Sequence, residues 1–349
     1  MTSRYSSTEL YSFCKKVFLA NEFADRDAHA AADSLVQAEL EGACSHGVSR
    51  LAIYVRRIRE GRIQSNPDFR VVQKGSVISV DGGNGLGQVV ASRALQHAFP
   101  IARELGMVGI FIRNSNHFGT AAYYCQMACE EQMALIAMTN SPPGIPPWGG
   151  RKAFFGTNPI AFGFPTREKP PIIVDMSSSV VARGKIILAD KEGKSIPTGW
   201  AIDEHGEETT NAADALKGAV LPLGGPKGYA LAMAVEMMSA VLSQAAFGPH
   251  VNNLYKEGDP PAGVGHSFIL LDMSRWMEIE QYYALTEQFI QEMKQVPLAK
   301  QADGILYPGE RRYRTYTENS QQGIKLSQEV LRELAEVGHD CGVDFIKAI

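Results

Sequence analysis

Three short segments of the chain combine side chains whose types could perform acid–base and anion-binding chemistry. The first is CSHGVSRLAIY at residues 44–54, in which Ser45 is placed to cap a following helix. His46, Arg50 and Tyr54 recur every four residues, so a helix would present them on one face. Arginine can hold a carboxylate while a neighbouring histidine exchanges a proton at the adjacent carbon–oxygen bond. The spacing predicts a site for an α-substituted carboxylate, with a capped surface helix as the alternative.

The second segment is RNSNHFGTAAYY at residues 113–124, which lies between a predicted strand and a predicted helix. His117 occupies the turn, where α/β proteins place ligand-binding residues. Gly119 permits close approach of the backbone, and the start of the next helix offers N–H groups to an anion. The alternative is a histidine in an ordinary loop.

The third segment, LPLGGPKGYALAMAVEM at residues 221–237, places Lys227 among glycines directly before an apolar helix. A helix N-terminus and a cation together suit a phosphate, although the spacing is not that of a P-loop. A simple loop is the alternative. A fourth stretch, YPGERR at residues 307–312, is predicted to be a turn in which Arg311 and Arg312 contact a phosphate or face solvent.

A glycine cluster in residues 77–99 is similar at first sight to a Rossmann phosphate-binding turn. Its sequence is VISVDGGNGLGQVVASRALQHAF, and its glycines are Gly82, Gly83, Gly85 and Gly87. No start among them yields G-x-G-x-x-G. The next strand ends in Arg113 and Asn114 rather than in an acid that could bind a ribose. The cluster is therefore predicted to be a strand-to-helix turn without a ligand.

Composition and patterning exclude several classes of protein. The net charge is −4 without a block of like charge, which disfavours a nucleic-acid partner. The N-terminal residues lack the apolar core of a signal peptide, and Glu236 interrupts the apolar stretch 228–248. That stretch is predicted to be a buried core helix, and we expect a cytoplasmic enzyme without a membrane partner. The five scattered cysteines predict reduced thiols, and no metal-binding motif is present.

The elements that must position these segments follow from hydrophobic periodicity. Residues 6–60 predict helices, and from about residue 70 strand-like runs alternate with helical segments, which is typical of an α/β core. Helical patterns return after residue 276. We therefore expect an α/β core over residues 71–275 and a helical part over residues 1–70, joined by C-terminal helices in 276–349.

Six motifs occur in order and together resemble the malate/L-lactate dehydrogenase family of non-Rossmann oxidoreductases, over roughly residues 5–340. They are CSHGVSR, NSNHFG, FGTNPIAFGFP, VDMSSSVVARGK, LPLGGPKGYALAMAVEMMSAVLSQAAFG and YPGERR. That family includes ureidoglycolate and sulfolactate dehydrogenases, diketogulonate reductases and Δ1-piperideine-2-carboxylate reductases. The resemblance implies a non-Rossmann nicotinamide-binding fold with a mixed sheet, NAD or NADP as cofactor, and homodimers with active sites near the subunit interface.

The implied reaction is hydride transfer between nicotinamide and a small 2-hydroxy or 2-oxo acid, such as malate, lactate or ureidoglycolate. Reduction of a cyclic imino acid within the same family is one alternative. A histidine-based hydrolase or lyase acting on a phosphorylated metabolite, with Lys227 and Arg311 as its anion site, is another.

The resemblance also implies roles for individual residues. His46 matches a proton donor with Ser45 beside it in a relay, and His117 matches the catalytic base of the ureidoglycolate branch; we favour His46 as the acid and base. Arg50 and Tyr54 match substrate-binding residues. The implied cofactor-binding residues are His117, Phe118, Gly119, Thr120, Ala121, Ser141, Asp175, Met176, Ser177, Lys227, Tyr307, Pro308, Gly309 and Glu310.

Two positions depart from branches of that family. Lys185 replaces the aspartate that completes the histidine relay in the imine-reducing branch, and Arg183 replaces a tryptophan of ureidoglycolate dehydrogenases. Arg183 could bind a second carboxylate, as in malate, or cap a turn. The choice between NAD and NADP stays open, because Arg312 with its neighbour Arg311 could receive a 2′-phosphate while Glu310 could hold a free ribose hydroxyl.

Overall fold

A computed structural model describes residues 4–254, 256 and 258–349 of the chain. The strands are β1 Arg4–Tyr5, β2 Arg70–Lys74, β3 Val77–Asp81, β4 Met107–Ser115, β5 Ala134–Thr139, β6 Ile160–Phe164, β7 Ile172–Met176, β8 Ala201–Ile202, β9 Ala219–Val220, β10 Val264–Leu271 and β11 Ile324–Lys325. The helices are α1 Ser7–Ala20, α2 Asp25–Leu40, α3 Leu51–Arg59, α4 Gly87–Leu105, α5 Ala121–Glu130, α6 Arg183–Lys191, α7 Ala212–Lys217, α8 Pro226–Glu236, α9 Ile279–Lys294, α10 Glu310–Gln322 and α11 Gln328–Cys341.

The central sheet has the strand order β2-β3-β4-β10-β5-β6-β7. β3 and β4 run parallel, and the other neighbouring pairs in this sheet run antiparallel. β10 lies in the middle and is apolar along most of its length, as expected of a strand covered on both faces. The predicted mixed α/β sheet is confirmed, and it differs from the parallel sheet of a Rossmann fold.

Two apolar clusters hold the sheet and the helices. In the first, α4 and α5 pack their alanine-rich faces against Ile78, Ile110 and Phe268 of the sheet. The second joins α1, α2 and α3 to the C-terminal α11, and β1 pairs with β11 in the same region. Chain segments far apart in sequence thus form one helical layer.

The helix α9 pairs through Lys294 with Glu310 at the start of α10, and two further polar contacts reach the sheet. Tyr282 donates a hydrogen bond of 3.0 Å to the carbonyl of Pro165, and Glu280 pairs with Arg167, both in the connection between β6 and β7. α9 therefore contacts the sheet side of the molecule. The division into residues 1–70 with 276–349 and residues 71–275 stays a prediction.

The apolar stretch 228–248 is not the fully buried helix that its composition predicts. α8 continues into a π-helical turn at Met237–Val241, and Glu236 and Ser239 lie on the buried side. The opposite side is exposed, with 41% of Met233 and 55% of Leu242 accessible. A helix that is apolar all round has no periodicity to indicate which side is covered, so the prediction was wrong on this point. No helix in the described part of the chain has the length and apolar character of a membrane span.

Candidate active site

The turn that carries His46 is not the regular helix that the spacing predicts. Residues Cys44–His46 and Val48–Arg50 form two short 3₁₀ turns, and α3 begins only at Leu51. Ser45 caps no helix; its Oγ lies 2.9 Å from Nδ1 of His46. The prediction of one helical face was therefore wrong, although the residues still lie close together.

A buried carboxyl group sets the shape of this turn. Glu39 is 2% exposed, and its Oε1 accepts a hydrogen bond of 3.0 Å from the N–H of Val48. A Cβ at Gly47 would lie 2.1 Å from that oxygen, so only glycine permits the approach. Burial raises the pKa of Glu39 to about 7, against hydrogen bonds from Cys44 and Val48 that lower it. The His46 turn thus rests on a carboxyl group that titrates near neutrality.

The glycine-rich turn before α4 supports the backbone of His117. A Cβ at Gly87 would lie 2.3 Å from the carbonyl oxygen of Asn116 and 2.5 Å from that of His117. Asn116 in turn donates a hydrogen bond of 2.9 Å to the carbonyl of Gly85. The glycines therefore provide close packing between two segments of the chain, directly beneath the site.

Two histidines from separate segments meet in the fold. The rings of His46 and His117 stack with centroids 5.4 Å apart. Tyr54 Oη lies 2.6 Å from Nδ1 of His117, and Gln88 Nε2 donates a hydrogen bond of 3.0 Å to the same phenol oxygen. Arg50 is held at this turn because its Nε donates to the carbonyl of Ser45 at 2.6 Å.

The surroundings keep both rings neutral at neutral pH. Burial lowers the pKa of His117 well below its ordinary value, and the nearby His46, Arg50 and His266 act in the same direction. Burial also lowers the pKa of His46, with Arg50 adding to the effect and Asp175 opposing it. A neutral imidazole offers one N–H donor and one acceptor nitrogen, which suits proton exchange with a substrate oxygen.

A cavity of about 150 Å³ adjoins the two histidines. Its walls combine apolar side chains with hydroxyl and amide groups. They are His46, His117, Phe118, Gly119, Thr139, Asn140, Ser141, Pro142, Thr157, Pro159, Asn252, Asn253, Leu254, Ala262 and Val264. Five of these, His46, His117, Phe118, Gly119 and Ser141, are among the residues that the sequence singled out. No group of three or more His, Cys, Asp and Glu within the described residues is arranged to hold a metal ion.

Sequence reasoning missed the buried network behind this cavity. Glu236 accepts hydrogen bonds from Asn158 at 2.6 Å, from Asn140 at 3.3 Å and from the N–H of Gly248 at 2.8 Å. These bonds fix the segments that carry the cavity walls. The signal in the sequence was Glu236 itself, because an acid within an apolar helix needs buried partners.

Asp175 connects three of the predicted cofactor segments. Its Oδ2 accepts from the N–H of Ala122 at 3.2 Å, next to the predicted Ala121 and Thr120, and from Arg312 at 3.3 Å. Arg312 also pairs with Glu41 at 2.7 Å. The guanidinium group is therefore held between two acids rather than directed at an empty anion site.

The segment YPGERR forms the entry to α10 rather than an isolated turn. Gly309 has φ +101°, and a Cβ there would lie 2.7 Å from the carbonyl of Pro171, so the segment runs close to the start of β7. Pro308 accepts a hydrogen bond of 3.0 Å from Ile173, and Tyr307 donates to Pro170 at 2.9 Å.

Glu310 opens α10 in a cluster of charges. It pairs with Lys294 at 2.7 Å and with Arg314 at 3.0 Å. The two cations compensate the charge of a carboxylate that is only 12% exposed.

The remaining predicted residues lie in or next to a smaller unit formed by α6, α7, β8 and β9. Arg183 is exposed at the start of α6 and donates a hydrogen bond of 3.1 Å to the carbonyl of Leu216. Lys227 is exposed in the first turn of α8. Ser177 lies 3.0 Å from the hydroxyl of Ser179, which bridges to the strand-like stretch before α8, and the adjacent Met176 is 37% exposed.

Comparison with known proteins identifies the family. A model of the malate/L-lactate dehydrogenase family matches residues 5–335. Malate dehydrogenase of Pyrococcus horikoshii is 38% identical, over 98% of this chain and 96% of its own length. The (2R)-3-sulfolactate dehydrogenase (NADP(+)) of Chromohalobacter salexigens is 36% identical, over 88% of this chain and 90% of its own length.

The fold agrees with that identification. The structure of sulfolactate dehydrogenase from Methanocaldococcus jannaschii superposes with a TM-score of 0.91 at 33% identity, over 99% of this chain and 98% of that one. Dehydrogenases of this family use nicotinamide cofactors and act on hydroxy acids. The resemblance inferred from the six motifs is confirmed: the chain belongs to the malate/L-lactate dehydrogenase family and is a dehydrogenase or reductase.

Proposed function

We propose that the protein transfers a hydride between a nicotinamide cofactor and a small 2-hydroxy or 2-oxo acid of the malate, lactate or ureidoglycolate type. The stacking of His46 on His117 at the edge of the cavity, with Arg50 in the same turn, carries this proposal. It joins a carboxylate-binding cation to two neutral imidazoles that can exchange protons.

The cavity residues fit a nicotinamide ring. Pro142, Pro159 and Val264 provide flat apolar walls, while Asn140 and Ser141 offer polar groups that suit a carboxamide. When bound, the nicotinamide supplies or accepts the hydride. The proposed binding residues are His117–Ala121, Ser141, Asp175–Ser177, Lys227 and Tyr307–Glu310.

Arg50 would bind the substrate carboxylate and so place the neighbouring carbon–oxygen bond beside His46. During reduction, the Nε2 proton of His46 passes to the substrate oxygen while the Ser45 hydroxyl donates its proton to Nδ1. Ser45 is exposed, so solvent replaces that proton, and oxidation reverses each step. Such acid–base catalysis contributes on the order of 10²–10⁴ to the rate. Tyr54 would orient His117 beside the same oxygen.

For a dicarboxylate such as malate, we propose that Arg183 binds the second carboxylate by exchanging its contact with Leu216. The change Arg183→Ala should then raise the KM of a dicarboxylate about tenfold or more, the effect of one charged hydrogen bond, and leave that of a monocarboxylate unchanged. Equal effects on both substrates would contradict this role.

A homodimer with its active sites near the subunit interface is part of the proposal. The exposed apolar side of α8 and the π-helical turn supports it, because Met233, Met237, Val241 and Leu242 are each more than a third exposed. Light scattering should give twice the chain mass, and Met237→Lys should shift the protein towards the monomer. A monodisperse monomer of the unaltered protein would overturn the dimer.

The first test of the function is separate titration with NADH and NADPH, followed by nicotinamide fluorescence. Saturable binding of one cofactor selects it and justifies a screen of 2-oxo acids, with a cyclic imino acid included. Failure of the folded protein to bind either cofactor, together with turnover of a phosphorylated metabolite without nicotinamide, would overturn the proposal.

A further inference from the structure

We propose that Gln88 is a positioning residue that, through Tyr54, fixes the ring proton of His117 on Nε2 and so makes His117 a hydrogen-bond donor to the substrate oxygen. This inference rests on the proposed function for the identity of the substrate. The assignment of the ring proton itself rests on the geometry of three side chains. It leaves the transferred proton to His46.

Gln88 places a polar amide group in an apolar, buried position. It is the second residue of α4, is fully buried and lies between apolar neighbours. Its Oε1 has no hydrogen-bond partner among the described residues, which is an unfavourable arrangement for a buried polar atom. Because a half-satisfied buried amide is unfavourable, we take the hydrogen bond that Gln88 does make, to Tyr54, as the reason for an amide at this position.

The direction of the hydrogen bonds follows from counting protons. The amide nitrogen of Gln88 can only donate, so the phenol oxygen of Tyr54 accepts at 3.0 Å. We assign the O–H of Tyr54 to its 2.6 Å contact with His117, so that Nδ1 is the acceptor in this arrangement. A neutral imidazole carries one ring proton, so this proton resides on Nε2.

The neutral state of His117 is supported independently by its surroundings. Burial and the neighbouring His46, Arg50 and His266 lower its pKa well below the ordinary value. Nε2 has no partner among the residues that the structure describes, and His117 lines the cavity. The N–H group on Nε2 is therefore available to an oxygen atom bound there.

His46 has a partner of a different kind. The hydroxyl of Ser45, 2.9 Å from Nδ1 of His46, can donate or accept, so the ring can change its proton position during the reaction. Gln88 removes that freedom from His117. The two stacked rings thus divide the work: His46 moves the proton, while His117 polarises the carbonyl and keeps its own proton.

The test exchanges the donor at position 88 for an acceptor of the same shape. In Gln88→Glu, the carboxylate accepts from Tyr54, which must then accept from Nδ1–H of His117. ¹⁵N NMR of the labelled protein without ligands, with the His117 signals assigned by their loss in His117→Asn, reports the ring proton directly. We expect Nε2–H in the unaltered protein and Nδ1–H in Gln88→Glu.

The same variant should change catalysis in a specific way. We expect kcat to fall roughly tenfold or more and the acidic limb of its pH profile to move upward, while nicotinamide affinity is unchanged. Gln96→Glu provides the matched control, because Gln96 lies exposed on the same helix. It should retain the ring signals, the pH profile and kcat of the unaltered protein.

Gln88→Met keeps the proposal testable if the buried glutamate prevents folding. Methionine fills the same volume without donating, so both ring forms of His117 should appear. Nδ1–H in the unaltered protein, or a single unchanged Nε2–H form in both position-88 variants, would overturn the inference. If the Nε2–H form depended on Gln88 but the protein bound no nicotinamide, the role of Gln88 and Tyr54 in fixing the His117 proton would stand. The proposed function would then be rejected.

Discussion

Two histidines near Phe118, one next to it in sequence and one stacked on its ring, occupy opposite kinds of environment. His266 in β10 is fully buried, stacks on Phe118 at 4.6 Å, and bonds Thr139 at 2.7 Å and Ser115 at 2.8 Å through its two ring nitrogens. His117 bonds Tyr54 through one nitrogen and lies at the cavity. A ring with both nitrogens satisfied by the core holds strands together, whereas a ring with one nitrogen at a cavity can act on a ligand.

The largest expected effect is a loss of catalysis when the ring that stacks on His117 is removed. His46→Ala removes the ring stacked on His117, and kcat should fall by on the order of 10²–10⁴ because the substrate oxygen loses its proton donor. Nicotinamide affinity and the thermal unfolding midpoint should change little. Steady-state kinetics and cofactor titration measure the two effects. A collapse of cofactor affinity with kcat intact would show that the assigned role is wrong.

A smaller effect is expected from the core histidine, and it concerns stability. Burial lowers the pKa of His266 to about 3, so the unfolded chain binds more protons below its ordinary value near 6.5. The neutral, buried His266 therefore makes its full contribution to the free energy of unfolding above about pH 6.5, and this contribution is lost as the pH falls towards 3. From pH 7 to pH 4.5, protonation of His266 in the unfolded chain should lower the free energy of unfolding by roughly 2–3 kcal/mol.

Urea unfolding at the two pH values tests this expectation. His266→Gln should be less stable at pH 7 but should lose roughly 2–3 kcal/mol less on acidification than the unaltered protein. His339→Gln is the control, since the side chain of His339 is 91% exposed, and it should retain the original slope. If the free energy of unfolding changed equally with pH in all three proteins, His266 would not be the buried, neutral core histidine that the contrast with His117 requires.

The smallest effect comes from Glu39, which makes the free energy of unfolding fall, rather than rise, with increasing pH. Burial raises the pKa of Glu39 to about 7, so the folded protein favours the protonated acid while the unfolded chain releases its proton above about pH 4.5. The free energy of unfolding therefore falls between pH 4.5 and pH 7. Over pH 5.5 to 7, the ionisation of Glu39 should lower the free energy of unfolding by roughly 1–2 kcal/mol.

Glu39→Gln keeps an acceptor for Val48 and removes the charge. In urea unfolding, the variant should gain roughly 1–2 kcal/mol of stability over the unaltered protein on going from pH 5.5 to 7. Glu60→Gln on the exposed end of the next helix should show no such gain. A gain of the same size at both pH values would indicate an effect unrelated to ionisation.

Much of the fold could be predicted from local pattern. The strands of the central sheet and helices such as α4 follow from alternation, from helical periodicity and from glycine turns. The six motifs identify the family even though no one of them carries a recognisable metal, nucleophile or phosphate signature. Local pattern also indicated that the glycines before α4 do not form a dinucleotide fingerprint.

The features that could not be predicted, such as the His46 turn, α10 and the role of Gln88, depend on contacts between separate elements of the fold. The His46 turn leaves the helix because Glu39 approaches Gly47, a contact between different elements of the fold. α10 has few apolar residues, so no periodicity marks it. Gln88 is a neutral side chain among apolar ones, and only the positions of Tyr54 and His117 give it a role.

The place of β10 in the sheet has a consequence for biosynthesis. β4 and β5 each pair with β10, so Val264–Leu271 join the two halves of the sheet. During translation, β4 and β5 both emerge before β10, so these two strand edges stay uncovered until β10 is made, and open edges template aggregation. We expect the nascent chain to depend on chaperones at this stage. Slow codons or a truncation before Val264 would then lower the yield far more than the same change after Leu271.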